Sequence, residues 1–110
     1  MNNTQTPDFA KQGGLIPVIV QEYKLDRQGK VLMLAYTNKE AFNLTRDTGF
    51  AHFWSRSRKK LWKKGEESGN FLPVKEWWMD CDQDTLLYLV TSNGVVCHLG
   101  KSDCFSEIKA

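Results

Sequence analysis

Short apolar runs, each closed by turn-forming residues, set the hydropathy pattern of this chain. Residues 15–20 (Leu-Ile-Pro-Val-Ile-Val) follow Gly13 and Gly14 and predict a buried strand. The polar stretch 24–30, with Asp26, Arg27, Gln28 and Gly29, predicts a hairpin connection into a second strand over 31–36. A helix over about 37–48 comes next: Thr37 is a good N-cap, Glu40 completes a capping box, Ala41, Phe42 and Leu44 face a core, and Gly49 ends it. Beyond it the aromatic stretch 50–54 passes into alternating serine and arginine. A strand continued through 58 places Arg56 and Arg58 on one face and Ser55 and Ser57 on the other. Residues 63–70 form a polar loop whose Gly65 and Gly69 allow close approach to a ligand. Residues 72–79 and 86–91 predict two more strands, and Ser92-Asn93-Gly94 turns into a partner strand over 95–99. The fold class is α+β, predominantly β strands with one main helix.

At 110 residues the chain reads as a single domain, 1–110, able to bury a core without covalent staples, with residues 1–12 as a flexible N-terminal tail. No apolar run approaches the roughly 18 residues of a membrane span. The polar first eight residues lack the basic and apolar regions of a secretory signal, so a cytoplasmic location is expected. A net charge of +2 provides no global field for nucleic acid, and neither nucleic acid nor a membrane is expected as a partner. The positive charge is local: Arg56, Arg58, Lys59, Lys60, Lys63 and Lys64 share one short stretch with no acidic residue. Arginine forks match phosphate oxygens, and serine hydroxyls with free backbone amides complete such cradles. Ser55, Arg56, Ser57 and Arg58, with Lys64, Gly65, Glu66, Ser68 and Gly69 of the following loop, are therefore the candidate substrate contacts.

Residues 80–84 read Asp-Cys-Asp-Gln-Asp between two apolar strands. In an extended chain Asp80, Asp82 and Asp84 line one face, where three carboxylates repel unless a hard cation such as magnesium lies between them. Cys81 then points away, toward a softer metal such as zinc. An acidic turn with a buried cysteine is the plainer alternative. The three cysteines, Cys81, Cys97 and Cys104, cannot pair completely and include no Cys-x-x-Cys, which argues against a zinc ribbon or knuckle. Three thiolates leave the fourth zinc position open, the mark of a catalytic zinc, and His98 beside Cys97 can move a proton there. On the residue alone, a hydrogen-bonded core histidine is the preferred reading of His98. A calcium loop starting at Asp80 fails, because Thr85 and Thr91 stand where glycine and glutamate are needed. No P-loop, dinucleotide fingerprint or zinc-deaminase signature is present.

In order and spacing, residues 31–36, 52–58, 61–70, 80–84, 97–100 and 104–105 resemble phosphoribosyl-AMP cyclohydrolase. The resemblance spans about Leu15 to Phe105. It implies hydrolysis of the N1–C6 bond in the adenine ring of phosphoribosyl-AMP, a ring-opening step of histidine biosynthesis that yields an aminoimidazole carboxamide ribotide. It further implies a compact zinc- and magnesium-dependent homodimer with metal sites at the subunit interface. Each subunit then carries one zinc, held by Cys81, Cys97 and Cys104 from both subunits, with Asp80, Asp82 and Asp84 on magnesium and His98 as the proton-transfer residue. Four positions depart from the common family pattern. Leu99 and Lys101 stand for threonine and arginine, Asp103 for serine, and Leu72 for glutamine. The alternative from another class is a nucleic-acid-binding module with a structural zinc, using the basic block and Phe53, Trp54 and Trp62 as stacking platforms.

Overall fold

The computed structural model describes residues 6–97 and 99–109. The strands Ile16–Glu22 (β1), Val31–Thr37 (β2), Val74–Met79 (β5) and Leu86–Val90 (β6) form one sheet in the order β2-β1-β6-β5. His52–Ser55 (β3) and Lys60–Lys63 (β4) form a separate antiparallel hairpin, and Lys39–Thr48 (α1) is the one α-helix among the described residues. The α+β class read from the hydropathy pattern is therefore the observed one.

Alternation decides which side of the sheet is inside. Ile16, Val18 and Val20 of β1 are fully buried, as are Tyr88 and Val90 of β6, and Leu86 nearly so. Each such side chain contributes about 1.5–3 kcal/mol on burial. The β3-β4 hairpin and α1 cover this face. Phe53 lies 6.4 Å from the Tyr88 ring and 5.2 Å from that of Trp62, and Phe42 meets Trp77 edge-on at 5.9 Å. Thr45 pins the helix to β3, since its hydroxyl accepts from His52 N at 2.8 Å. On the opposite face the register aligns Leu34, Ile19, Leu87 and Trp78 in one apolar row across all four strands. Leu34 is 51% exposed and Trp78 42%.

Local chemistry corrects three of the sequence-based boundaries. The helix N-cap is Asn38, whose side chain accepts from Ala41 N at 2.9 Å, because Thr37 is still paired with Ile16 as the last residue of β2. Both residue types cap well; the ladder took the first of them. Gly49 ends the helix as expected, in the left-handed conformation. Residues 50–58 do not run on as one strand: β3 stops at Ser55, residues 56–59 turn, and Lys59 adopts φ 52 to begin β4. Arg56 and Arg58 are thus not two teeth on one strand face. Residues 95–97 and 99 are not strand either, because Val96 N and Cys97 N both donate to Lys101 O in a local turn.

From Asp8 onward, the segment expected as tail is tied down. Phe9–Gln12 forms a turn of 3-10 helix, Asp8 N donates to Gln83 O at 2.7 Å, and Phe9 packs against Phe42 at 5.9 Å.

Candidate active site

Gly65 shapes the floor of the site. It adopts φ +90, and a Cβ there would sit 2.4 Å from the Asn70 carbonyl carbon, so the 64–70 loop folds this tightly only around glycine. Gly69 N donates to Gly65 O at 2.7 Å, and the Glu66 carboxylate accepts from Lys63 N at 2.7 Å. Between this loop, the β3-β4 hairpin and the 95–104 segment lies a cavity of about 600 Å³. A second, more open depression on α1, between Lys39 and Asp47, brings together no comparable chemistry.

Of the sequence-based contacts, Ser55, Arg58, Lys64, Gly65, Glu66 and Ser68 line this cavity. Arg56, Ser57 and Gly69 do not; the Arg56 guanidinium lies 3.8 Å from the Tyr36 ring centroid. The turn at 56–59 explains this split, since Ser55 Oγ accepts from Arg58 N at 3.1 Å and swings the two arginines apart. Lys60, Trp62, Lys63 and Asn70 line it as well; the sequence places the lysines in the basic block, Asn70 in the polar loop and Trp62 among the platforms of the nucleic-acid alternative, without counting them as substrate contacts. Recognising β4 as the partner of β3 would have found Trp62, which pairs with the buried Phe53. Phe53, fully buried, is not available as a stacking platform for nucleic acid.

Two thiols, those of Cys97 and Cys104, are part of the cavity's lining. Desolvation pushes the Cys104 thiol up and the neighbouring Cys97 adds to the shift, while the Lys64 ammonium opposes it. Leu99 N donates to Cys97 Sγ at 3.4 Å, and Lys64 Nζ donates to Val96 O. Cys104 is carried along the free edge of β2 by a 2.8 Å bond from its N to Leu32 O. Lys30 fastens the same segment, 3.2 Å from Asp103 and 2.7 Å from Ser102 Oγ. The Phe105 amide, followed by Lys30, holds the Asp103 carboxyl below its ordinary range. His98 lies outside the described residues. His52 is a satisfied core histidine, buried, with Nδ1 2.8 Å from Phe50 O.

The 80–84 stretch is a tight turn rather than extended chain. Asp80 N donates to Thr85 O at 3.0 Å, Gln83 N to Asp80 O at 3.1 Å, and Gln83 takes φ 65. The turn still gathers the three carboxylates: donor oxygens of Asp80, Asp82 and Asp84 lie within 4.8 Å of one another, the one such metal-capable group of three among the described residues. Desolvation raises the Asp80 carboxyl, but bonds from Asp84 N at 3.1 Å and Thr85 N at 3.2 Å outweigh it and hold Asp80 below its ordinary value. Cys81 does not point away from this group; its thiol donates to Asp82 Oδ1 at 3.4 Å, and that bond is the first cause of its raised pKa. Within one chain the three thiols do not meet. Cys81 follows Met79 at the β5 edge of the sheet, whereas Cys104 runs beside β2 at the other edge.

The departures from the family pattern have local partners. Leu72 is fully buried in the core, and Lys101 Nζ donates to Phe105 O at 3.0 Å and Ser106 Oγ at 2.7 Å. Asp103 pairs with Lys30, and Leu99 projects outward, 73% exposed.

A family model described as phosphoribosyl-AMP cyclohydrolase matches residues 33–106. The chain is 56% identical over 98 residues to a phosphoribosyl-AMP cyclohydrolase of Cenarchaeum symbiosum, covering 89% of this chain and 88% of the relative. It is 62% identical over 92 residues to one of Archaeoglobus fulgidus, covering 84% and 82%. It is also 58% identical over 101 residues to a histidine biosynthesis bifunctional protein of Lactococcus lactis, covering 92% of this chain and 46% of that longer protein.

Proposed function

The chain belongs to the phosphoribosyl-AMP cyclohydrolase family, and from that premise we propose that it hydrolyses the N1–C6 bond of the adenine ring of phosphoribosyl-AMP in histidine biosynthesis, working as a zinc- and magnesium-dependent homodimer. The observation that carries this reading is one cavity whose lining brings Arg58, Lys64 and residues of the 64–70 loop together with Cys97 and Cys104. Cations suited to phosphate and thiols suited to a soft metal share a space of a size suited to a nucleotide.

The donor sets fit the two metals. Cys97 and Cys104 are neighbouring thiols, one accepting an amide hydrogen bond at its sulfur, as zinc thiolates do. Three carboxylates preorganised by backbone amides suit a hard cation. Zinc, when bound by Cys97, Cys104 and a third thiolate, supplies a water acidified to a pKa of about 7.

The remaining work belongs to the chain. Arg58, Lys60 and Lys64 hold phosphate oxygens and so fix where C6 sits relative to the thiol corner. N1 substitution leaves the purine cationic and C6 electrophilic. Water adds at C6, its oxygen becoming the carboxamide oxygen. The N1–C6 bond then breaks, and N1 receives a proton from His98, the neighbour of Cys97.

The separation of the thiols supports the homodimer reading. With Cys81 at one edge of the sheet and the Cys97–Cys104 pair beyond the other, a second copy related by a two-fold axis can complete both sets at once. The exposed row Leu34, Ile19, Leu87, Trp78 is the surface such a copy would cover. A cytoplasmic site of action is part of the proposal, and no helix among the described residues is long and apolar enough to cross a membrane.

Purified protein supplied with zinc and magnesium should consume phosphoribosyl-AMP, read as the ultraviolet change when the purine opens. No turnover with both metals present would overturn the reading.

A further inference from the structure

Trp62 has no part in the chemistry described so far. It lies on β4 opposite Phe53, packs against that buried ring at 5.2 Å, and is only partly buried itself. It opens onto the same cavity as Cys97 and Cys104, where the other described apolar groups, Met33, Val95 and Val96, are aliphatic. It is thus the one aromatic lining residue among those described. The surrounding wall carries Arg58, Lys60 and Lys64, which suits phosphate but repels a cationic ring. Lys64 Nζ stands 6.0 Å from the indole centroid, at the limit of a cation–π contact, and is already donating to Val96 O.

We propose that Trp62 is the platform for the adenine ring and that its indole face selects the N1-substituted, cationic ring over neutral adenine nucleotides and over the ring-opened product. This rests on the proposed N1–C6 hydrolysis, since only an N1-substituted substrate is cationic. The indole's negative face attracts a delocalised cation more strongly than a neutral purine. Once the ring opens, that charge leaves the aromatic system, and the product loses a contact that the substrate had. Trp62 would therefore favour substrate entry and product release with one side chain.

The test is calorimetric binding of two nucleotides to the full-length, metal-loaded protein: 1-methyladenosine 5′-monophosphate, which is cationic, and AMP, which is neutral. The parent should prefer the cationic nucleotide by about tenfold. Trp62→Leu should bring the ratio close to one, and Trp62→Phe, which keeps a weaker π face, should lower it about threefold. Thermal unfolding and metal content report whether each variant is folded. If Trp62→Leu does not fold, Trp62→Phe decides alone. An unchanged ratio, or equal weakening of both nucleotides, overturns the inference. Turnover of phosphoribosyl-AMP by the parent is a separate readout: its failure defeats the proposed function, whereas turnover with a ratio independent of Trp62 defeats only this proposal.

Discussion

The aspartate turn and the thiol corner are both proposed to hold a metal, yet they are built in opposite ways. The turn is contiguous: Asp80, Asp82 and Asp84 come together within five residues, and the backbone amides of Asp84 and Thr85 hold the first carboxylate in place. The corner is scattered, with Cys97 and Cys104 meeting beside β2 while Cys81 sits at the far edge of the sheet. A hard cation accepts oxygens from any tight turn and tolerates water in the remaining places. A catalytic zinc takes three fixed protein ligands, and in the proposed dimer the third comes from the neighbouring subunit.

The strongest way to break this contrast is complementation. Cys81→Ala and Cys104→Ala should each be inactive and short of zinc. Mixing the two after subunit exchange should restore about a quarter of parent activity, because half of the dimers are mixed and each mixed dimer has one intact set. No recovery would place all three thiols in one subunit's site. Next in size, Leu34→Asp charges the exposed apolar row without touching the core, and should weaken the dimer about a hundredfold by sedimentation and lower zinc content with it. A dimer of parent stability would move the interface elsewhere. Within the aspartate turn, Asp80→Ala should lower both the melting temperature and the response to magnesium, because Asp80 also holds two amides. Asp82→Asn, at a carboxylate that among the described residues accepts only from the Cys81 thiol, should lower the magnesium response and leave the melting temperature unchanged. Equal melting temperatures would show that the turn does not depend on the Asp80 bonds. The smallest effect is expected for Lys30→Met, a surface contact to Asp103, which should lower zinc occupancy by about twofold or less.

The chain's periodicity revealed strands and helix well, because apolar alternation and the Gly49 cap are local signals. It could not reveal that β1 pairs in parallel with β6, as nothing near Val18 specifies Leu86. It grouped the three aspartates through alternation, and the protein groups them by a turn instead. Both geometries bring every second side chain to one side over so short a span. The serine–arginine stretch misled for a related reason: no glycine marks the turn at 56–59, and Lys59 takes the left-handed conformation itself. The expected strand over 95–99 gives way to a turn because Lys101 O captures two amides at once.

The seam between β1 and β6 has a consequence for how the molecule is made. Joining Val18 to Leu86 requires most of the polypeptide to be present, so the sheet's middle closes late, after the β1-β2 hairpin and α1 have had time to form. The sulfurs lie beyond opposite edges of that sheet, so closing the seam fixes their separation rather than bringing all three together. The proposed zinc would therefore join a finished scaffold rather than nucleate one, unlike in a zinc finger, and the metal-stripped polypeptide should keep its native circular dichroism.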